Sequence, residues 1–221
     1  MSPSPREQAN AAVREFLSKR DWSAQTPARK RILAAFLRLA ATSGYNSVSM
    51  RTLGRELGLK APSLYSSFPQ GKEQIVAESL LWFTHGFARE LLDAVQDTMY
   101  AGDYWAALVR FHVAQQVSTP EADLWNLLVA SDKVAGFLNQ GLREELAFWQ
   151  LLHEEMYTAA AEEMGLSVTR QTIQAIFTLL DGAAHWSAWD GTAAHLESLA
   201  DHGVALTRSL LEVGAATRAG T

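Results

Sequence analysis

The chain has 221 residues, is 48% hydrophobic and holds no cysteine, which allows one large or two modest cores and excludes disulfides and thiolate chemistry. Its start, MSPSPREQANAAVREF, has no apolar signal region, and nowhere do 18 uncharged apolar residues run together, so a cytoplasmic protein is expected, without membrane contact. The net charge of −5 argues against a nucleic-acid partner until its distribution is read. Residues 1–80 hold 12 Lys+Arg against 6 Asp+Glu, net +6, and residues 81–221 hold 7 against 18, net −11. A basic N-terminal third on an acidic body is expected where only one part meets phosphate; uneven solvated charge is the plainer alternative.

Residues 1–25 open on a Ser/Pro-rich tip, followed by Ala12, Val13, Phe16 and Leu17 close to helical spacing, with Arg14, Lys19 and Arg20 around them. This is either an extra helix leaning on the domain or a basic arm along a DNA backbone. The short apolar stripe favours a mostly solvated helix. Thr26-Pro27 then predicts a helix start, Thr as N-cap and Pro where its missing N–H costs nothing. Ile32, Leu33, Phe36, Leu39 and Ala40 follow at helical spacing as far as Gly44. Arg29, Lys30 and Arg31 sit at the unfavourable positive end of that helix dipole, either for use at the phosphate backbone or simply solvated.

The stretch 49–72, SMRTLGRELGLKAPSLYSSFPQGK, divides into two short helical phrases, 50–57 and 61–67, around Gly58-Leu59-Lys60. Ser49 is the expected N-cap of the first, and Pro62 falls in the tolerant first turn of the second. Met50, Leu53, Leu57, Leu59, Leu64 and Phe68 fit one inner face. Two helices joined by a tight turn containing Gly predict a helix-turn-helix, its second helix presented to a DNA groove.

After the break at Pro69-Gln70-Gly71, helical spacing continues over 72–99 (Ile75, Leu80, Phe83, Phe87, Leu91, Val95) and, past Gly102-Asp103, over 103–118 (Trp105, Leu108, Val109, His112, Gln116). Thr119-Pro120 leads into a helix at 124–131. After Gly136 a segment to Met164 carries Phe137, Leu142, Leu146, Trp149, Leu152, His153 and Met156. Gly165 ends it. One helix is expected over 167–190, with Ile173, Ile176, Phe177, Leu180 and Trp186, and a last one over 192–216. No β-rich alternating runs stand out, so the class is all-α with about nine helices.

The aromatic residues of the middle helices are core or pocket lining. Polar groups sharpen the second reading: His112 lies seven residues from Trp105, and His153 four from Trp149. A mostly apolar cavity with a few converging polar groups is how small-molecule sites look, which makes Phe87, Trp105, His112, Trp149, His153 and Phe177 the candidate ligand residues. Nothing points to an enzyme, a cofactor or a metal. There is no nucleophile elbow, Walker motif or dinucleotide fingerprint. His153-Glu154-Glu155-Met156-Tyr157 fails the zinc-protease spacing at its fifth residue, and His185, His195 and His202 are too spread for a compact metal site.

The segment RKRILAAFLRLAATSGYNSVSMRTLGRELGLKAPSLYSSFPQGKE resembles the tetracycline-repressor (TetR) family of bacterial transcription regulators. It has the family's order: a first helix ending in Gly, a Ser-started second helix, Leu-Gly-Leu, a recognition helix ending Ser-Leu-Tyr-x-x-Phe, and Lys-Glu opening the fourth helix. Three residues separate Phe68 from Lys72 where many members have two, as in a Phe-Pro-Gly-Gly-Lys-Glu variant. Downstream, only the helical plan is similar.

The resemblance implies an N-terminal three-helix helix-turn-helix domain at 26–72, after the extension 1–25, and a larger helical ligand-binding and dimerisation domain at 73–218. Arg51 matches a position that reaches a base edge in relatives, where a guanidinium pairing with guanine is worth roughly 1–3 kcal/mol of discrimination; a phosphate or acidic neighbour is the alternative. Lys60, Ala61, Pro62 and Ser63 front the recognition helix, Ala61 and Pro62 suiting a thymine methyl. Tyr65 matches a phosphate-bonding tyrosine or is a core edge, and Ser49, Ser66 and Lys72 would position the backbone. The expected partners are a double-stranded DNA operator, a second copy of the chain and a hydrophobic small-molecule effector. The dimer would form through 169–190 and 192–216, whose apolar residues Ile173, Phe177, Leu180, Leu196, Leu199, Leu206 and Leu210 suit an internal core equally. A helical adaptor or ligand-binding protein that keeps the head without binding an operator is the alternative, an enzyme a more distant one.

Overall fold

The computed structural model describes residues 2–135 and 138–219; the expectations placed on Gly136 and Phe137 lie outside the described residues. Eleven α-helices and one 3-10 turn are found among the described residues, and no strand. They form two compact units, 19–87 with 120–147, and 1–18 with 88–119 and 148–221.

The first unit is built on the chain's helix-start signals. Thr26 caps α2 (Pro27–Ser43), its Oγ1 accepting from Arg29 N at 3.3 Å, with Pro27 at the first position. Ile32, Leu33, Phe36 and Ala40 are buried. Gly44, at φ 81°, turns the chain into the 3-10 turn Tyr45–Ser47. Ser49 and Thr52 close a reciprocal capping box on α3 (Met50–Leu57), Thr52 N donating to Ser49 Oγ at 3.1 Å and Ser49 N to Thr52 Oγ1 at 2.7 Å.

Gly58, in the left-handed region at φ 66°, ends α3, and α4 (Ala61–Ser67) follows. The turn folds back so tightly that a Cβ on Gly54 would stand 2.8 Å from the carbonyl oxygen of Leu59, which glycine alone avoids. Leu53, Leu64 and Phe68 are buried as expected, and Met50 and Leu57 pack at the edge. Leu59 departs from the inner face and stays 36% exposed, because the turn that spares Gly54 lifts it out. The core continues into α5 (Lys72–Val95), α7 (Pro120–Ala135) and the start of α8 (Gln140–Glu163) through Ile75, Leu80, Leu124, Leu128, Leu142 and Leu146.

In the second unit α6 (Ala101–Ser118) packs against α9 (Arg170–Asp181), the four-residue α10 (Ala183–Trp186) and α11 (Ala193–Ala219). Close approach is again bought with glycine: a Cβ on Gly203 would lie 3.0 Å from Val113, and one on Gly214 2.6 Å from Thr172 Oγ1. The single helix expected over 167–190 is therefore two. Thr169 caps α9, Gly182 takes up the two terminal amide bonds at its end, and α10 stops at Ser187.

α1 (Pro5–Ser18) is not the mostly solvated helix that its short stripe suggested. Ala9, Val13 and Phe16 are buried in this unit. The Asn10 side chain accepts from Tyr104 OH at 2.6 Å, and Arg6 pairs with Glu163 at 2.6 Å. Polar contacts at long sequence separation supply what the narrow apolar stripe lacks. Among the described residues no helix is long and apolar enough to cross a membrane.

Candidate nucleic-acid interface and effector site

The candidate reading face is assembled from three local devices. The capping box sets the start of α3, so Arg51 projects from its first turn, exposed and without a hydrogen-bond or ion-pair partner among the described residues. The Gly58 turn aims α4 outward. Leu64 and Phe68 hold it to the core, which leaves Lys60, Ala61, Pro62, Ser63, Tyr65 and Ser66 exposed along one side. Ser66 Oγ donates to Ser63 O at 2.9 Å, a bond within the helix that leaves the oxygen able to accept from outside. Ser49, likewise exposed, spends its oxygen on the capping box.

Two cations also make contacts inside the protein. Lys72 is half-buried, its ammonium donating to Tyr45 O at 3.0 Å and standing 4.0 Å from the centre of the Tyr45 ring. Desolvation lowers its pKa. It braces the loop that leads into α3. Arg29 turns away from solvent: its guanidinium donates to Ser67 O and Glu78 Oε2 and lies over the Phe68 ring, while Arg31 beside it is exposed.

The second cluster lies in the unit that holds α6, α9 and most of α8. His153 lies face to face between Trp149, at 5.3 Å, and His112, at 5.4 Å, and meets the edge of Phe177 at 4.7 Å. Trp105, buried on α6, sets its ring 5.1 Å from Tyr157 and donates to Thr207 Oγ1 at 3.2 Å. The structure thus brings together five of the six expected ligand residues. Phe87 falls in the other unit, where its ring neighbours Phe83 at 6.4 Å.

Tyr157 and Asp181 join the cluster without having been singled out. Asp181 Oδ1 lies 2.9 Å from His112 Nε2, and Tyr157 OH stands 3.4 Å from Nδ1. Burial, then the neighbouring His112, pushes the His153 pKa well below its usual value. Burial, then Asp181 and Tyr104, pushes that of Tyr157 well up. Both are therefore neutral near pH 7. Tyr157 lies four residues after His153 on the same stripe and was within reach of the sequence; Asp181, at the end of α9, gave no signal.

A two-helix unit with an exposed second helix over a buried Leu53–Leu64–Phe68 base, joined in one chain to a larger helical unit, defines a DNA-binding transcription regulator of the helix-turn-helix type. Residues 32–79 match the model of the tetR family of bacterial regulatory proteins. Its fold is that of a tetR-family regulatory protein from Rhodococcus RHA1, with 17% identity, TM-score 0.71, and coverage of 85% of this chain and 98% of that one. It is also similar to a transcriptional regulator from Saccharomonospora viridis in complex with choline (19% identity, TM-score 0.65, covering 81% and 94%). A third is the fatty acid degradation regulator FadR of Bacillus halodurans (18%, 0.66, covering 83% and 95%). No curated protein matches.

Proposed function

We propose that the chain is a cytoplasmic repressor that binds a near-palindromic operator as a homodimer and leaves it when a hydrophobic small molecule occupies the unit built on α6, α8 and α9. The observation that carries this is the division of labour on α3 and α4. Leu53, Leu64 and Phe68 are consumed by the core while Arg51, Lys60, Ser63 and Tyr65 stand free of it on the basic part of an acidic chain. One such head reads few base pairs, and two heads on a two-fold axis read half-sites roughly 34–36 Å apart or a multiple of that. Arg51 reads a base edge, Lys60 to Ser63 face the groove, and Ser49, Tyr65, Ser66 and Lys72 hold the phosphate backbone.

The two-fold contact falls on α9 and α11. Ile173, Leu180 and Leu199 are buried in the unit's own core, and Leu206, Leu210 and Val213, half-buried to 65% exposed, are the apolar residues that would face a mate. The effector site is the ring cluster of Trp105, His112, Trp149, His153 and Phe177, with Tyr157 and Asp181 added. Choline in one neighbour and fatty acid degradation in another fit small amphiphiles as the class. An effector that favours the head spacing misfitting DNA weakens operator binding tenfold for about 1.4 kcal/mol of coupling.

A gel shift with the DNA flanking the protein's own gene tests the reading. A specific, salt-sensitive complex supports it, and equal affinity for unrelated DNA counts against it.

A further inference from the structure

The recognition helix has little to hold it in place. α4 is seven residues long, too short to persist on its own, and its N-cap Lys60 makes no side-chain capping bond. Leu64 and Phe68 fix its depth in the core, but both anchors lie from its middle to its end, so the Lys60–Ser63 end can swing about them.

Arg29 closes that freedom. From α2 its guanidinium donates to the last carbonyl of α4, Ser67 O, and lies 4.2 Å from the centre of the Phe68 ring. A second nitrogen donates to Glu78 on α5, and Nε donates to Gln25 Oε1 at 2.8 Å. Glu78 is steadied from its other oxygen by Gln74 Nε2 at 2.9 Å, and Gln74 Oε1 accepts from Gln70 N at 3.2 Å. The fork therefore ties the start of α2, the end of α4 and the first turns of α5 together from three directions. Planar geometry is essential to this, and a lysine, with one compact ammonium, cannot reproduce it.

We propose that Arg29 is a positioning residue for DNA reading: it sets the tilt of α4 and touches no phosphate. This rests on α4 being the recognition helix. Seven residues span about 10 Å, so a tilt of about 10° moves the Lys60–Ser63 end by about 2 Å. That is enough to lose a bidentate base contact, which tolerates only a few tenths of an ångström.

The test uses the full chain with a duplex from the DNA flanking its own gene, a random duplex of equal length, and the variants Arg29→Met, Arg29→Lys and Glu78→Gln. Arg29→Met is expected to weaken the flanking-DNA complex tenfold or more while leaving random-duplex affinity and the slope of log K against log salt unchanged. Arg29→Lys does not restore it. Amide exchange in 61–67 rises at least tenfold, with 32–40 unaffected. Equal loss on both duplexes with a slope reduced by about one overturns the proposal, because that marks a phosphate contact. Unchanged exchange in α4 overturns it too. If Arg29→Met fails to fold, Glu78→Gln gives the same comparison with shape preserved. If the wild-type chain binds both duplexes alike, the operator reading fails instead, and the exchange measurement alone decides the role of Arg29.

Discussion

The ring of Phe16 lies 28° from parallel with that of Trp149, their centroids 5.7 Å apart, so the helix at the start of the chain is part of the wall behind the ring cluster. Trp149 has His153 near its ring as well, which makes the sequence Phe16, Trp149, His153, His112 a continuous stack from α1 to α6. Replacing Phe16 by Ala is expected to cost about 3–5 kcal/mol, as for other buried phenylalanines. Urea unfolding checks it; a loss under about 1 kcal/mol means that α1 is not docked this way in solution.

Arg51→Ala should relax preference at one base position by roughly 1–3 kcal/mol and leave the rest of the operator's ranking intact. Lys72→Ala should weaken every sequence alike, through the Tyr45 loop that it braces as well as through any phosphate it meets. Competition binding against a set of singly substituted operators separates the two patterns. Identical profiles would show that the division into readers and anchors is mistaken.

Gly54→Ala puts a methyl group against the Leu59 carbonyl at 2.8 Å. Overpacking of this kind costs about 1–3 kcal/mol, and here the strain falls on the turn that aims α4. Thermal unfolding and operator affinity should both decline. A variant as stable as the parent would mean that the turn opens without cost.

His153 gives stability a direction in pH. Its pKa is depressed in the folded chain, so below about 6.5 the unfolded state takes up a proton that the folded state refuses. The contribution is complete above that pH and is lost as pH falls, with a slope of at most about 1.4 kcal/mol per pH unit from this one group. Comparing the parent with His153→Gln between pH 7 and 5 isolates it. Parallel curves would show that His153 titrates normally.

Leu210→Asp with Val213→Asp should yield a monomer at micromolar concentration in sedimentation, with each unit still folded. If the doubly substituted chain sediments with the parent, the two-fold contact is elsewhere.

Where a local device decides the structure, the sequence displayed it. Thr26-Pro27, the Ser49 cap and the Gly58 turn each announce a backbone event within four residues, and all three stand where they were read. What escaped was decided by partners far along the chain. Arg29 belongs by sequence to a solvated basic run, and only Ser67 and Glu78, 38 and 49 residues later, turn it inward. Asp181 and His112 are 69 residues apart, and nothing in either neighbourhood advertises the pair. The break at Gly182 lacked a proline to mark it, because the interruption is made by amide bonding to Thr178 and Leu180 and not by a forbidden dihedral.

The side chains proposed to read and those that hold the core do not overlap on α3 and α4. Arg51, Lys60, Ala61 and Ser63 can be exchanged at a cost within about 0.5 kcal/mol, since they bear on no core contact. Operator preference is therefore evolvable independently of foldability: a library randomised at those four positions should return mostly folded proteins, with new target sequences reached by drift and without compensating changes inside.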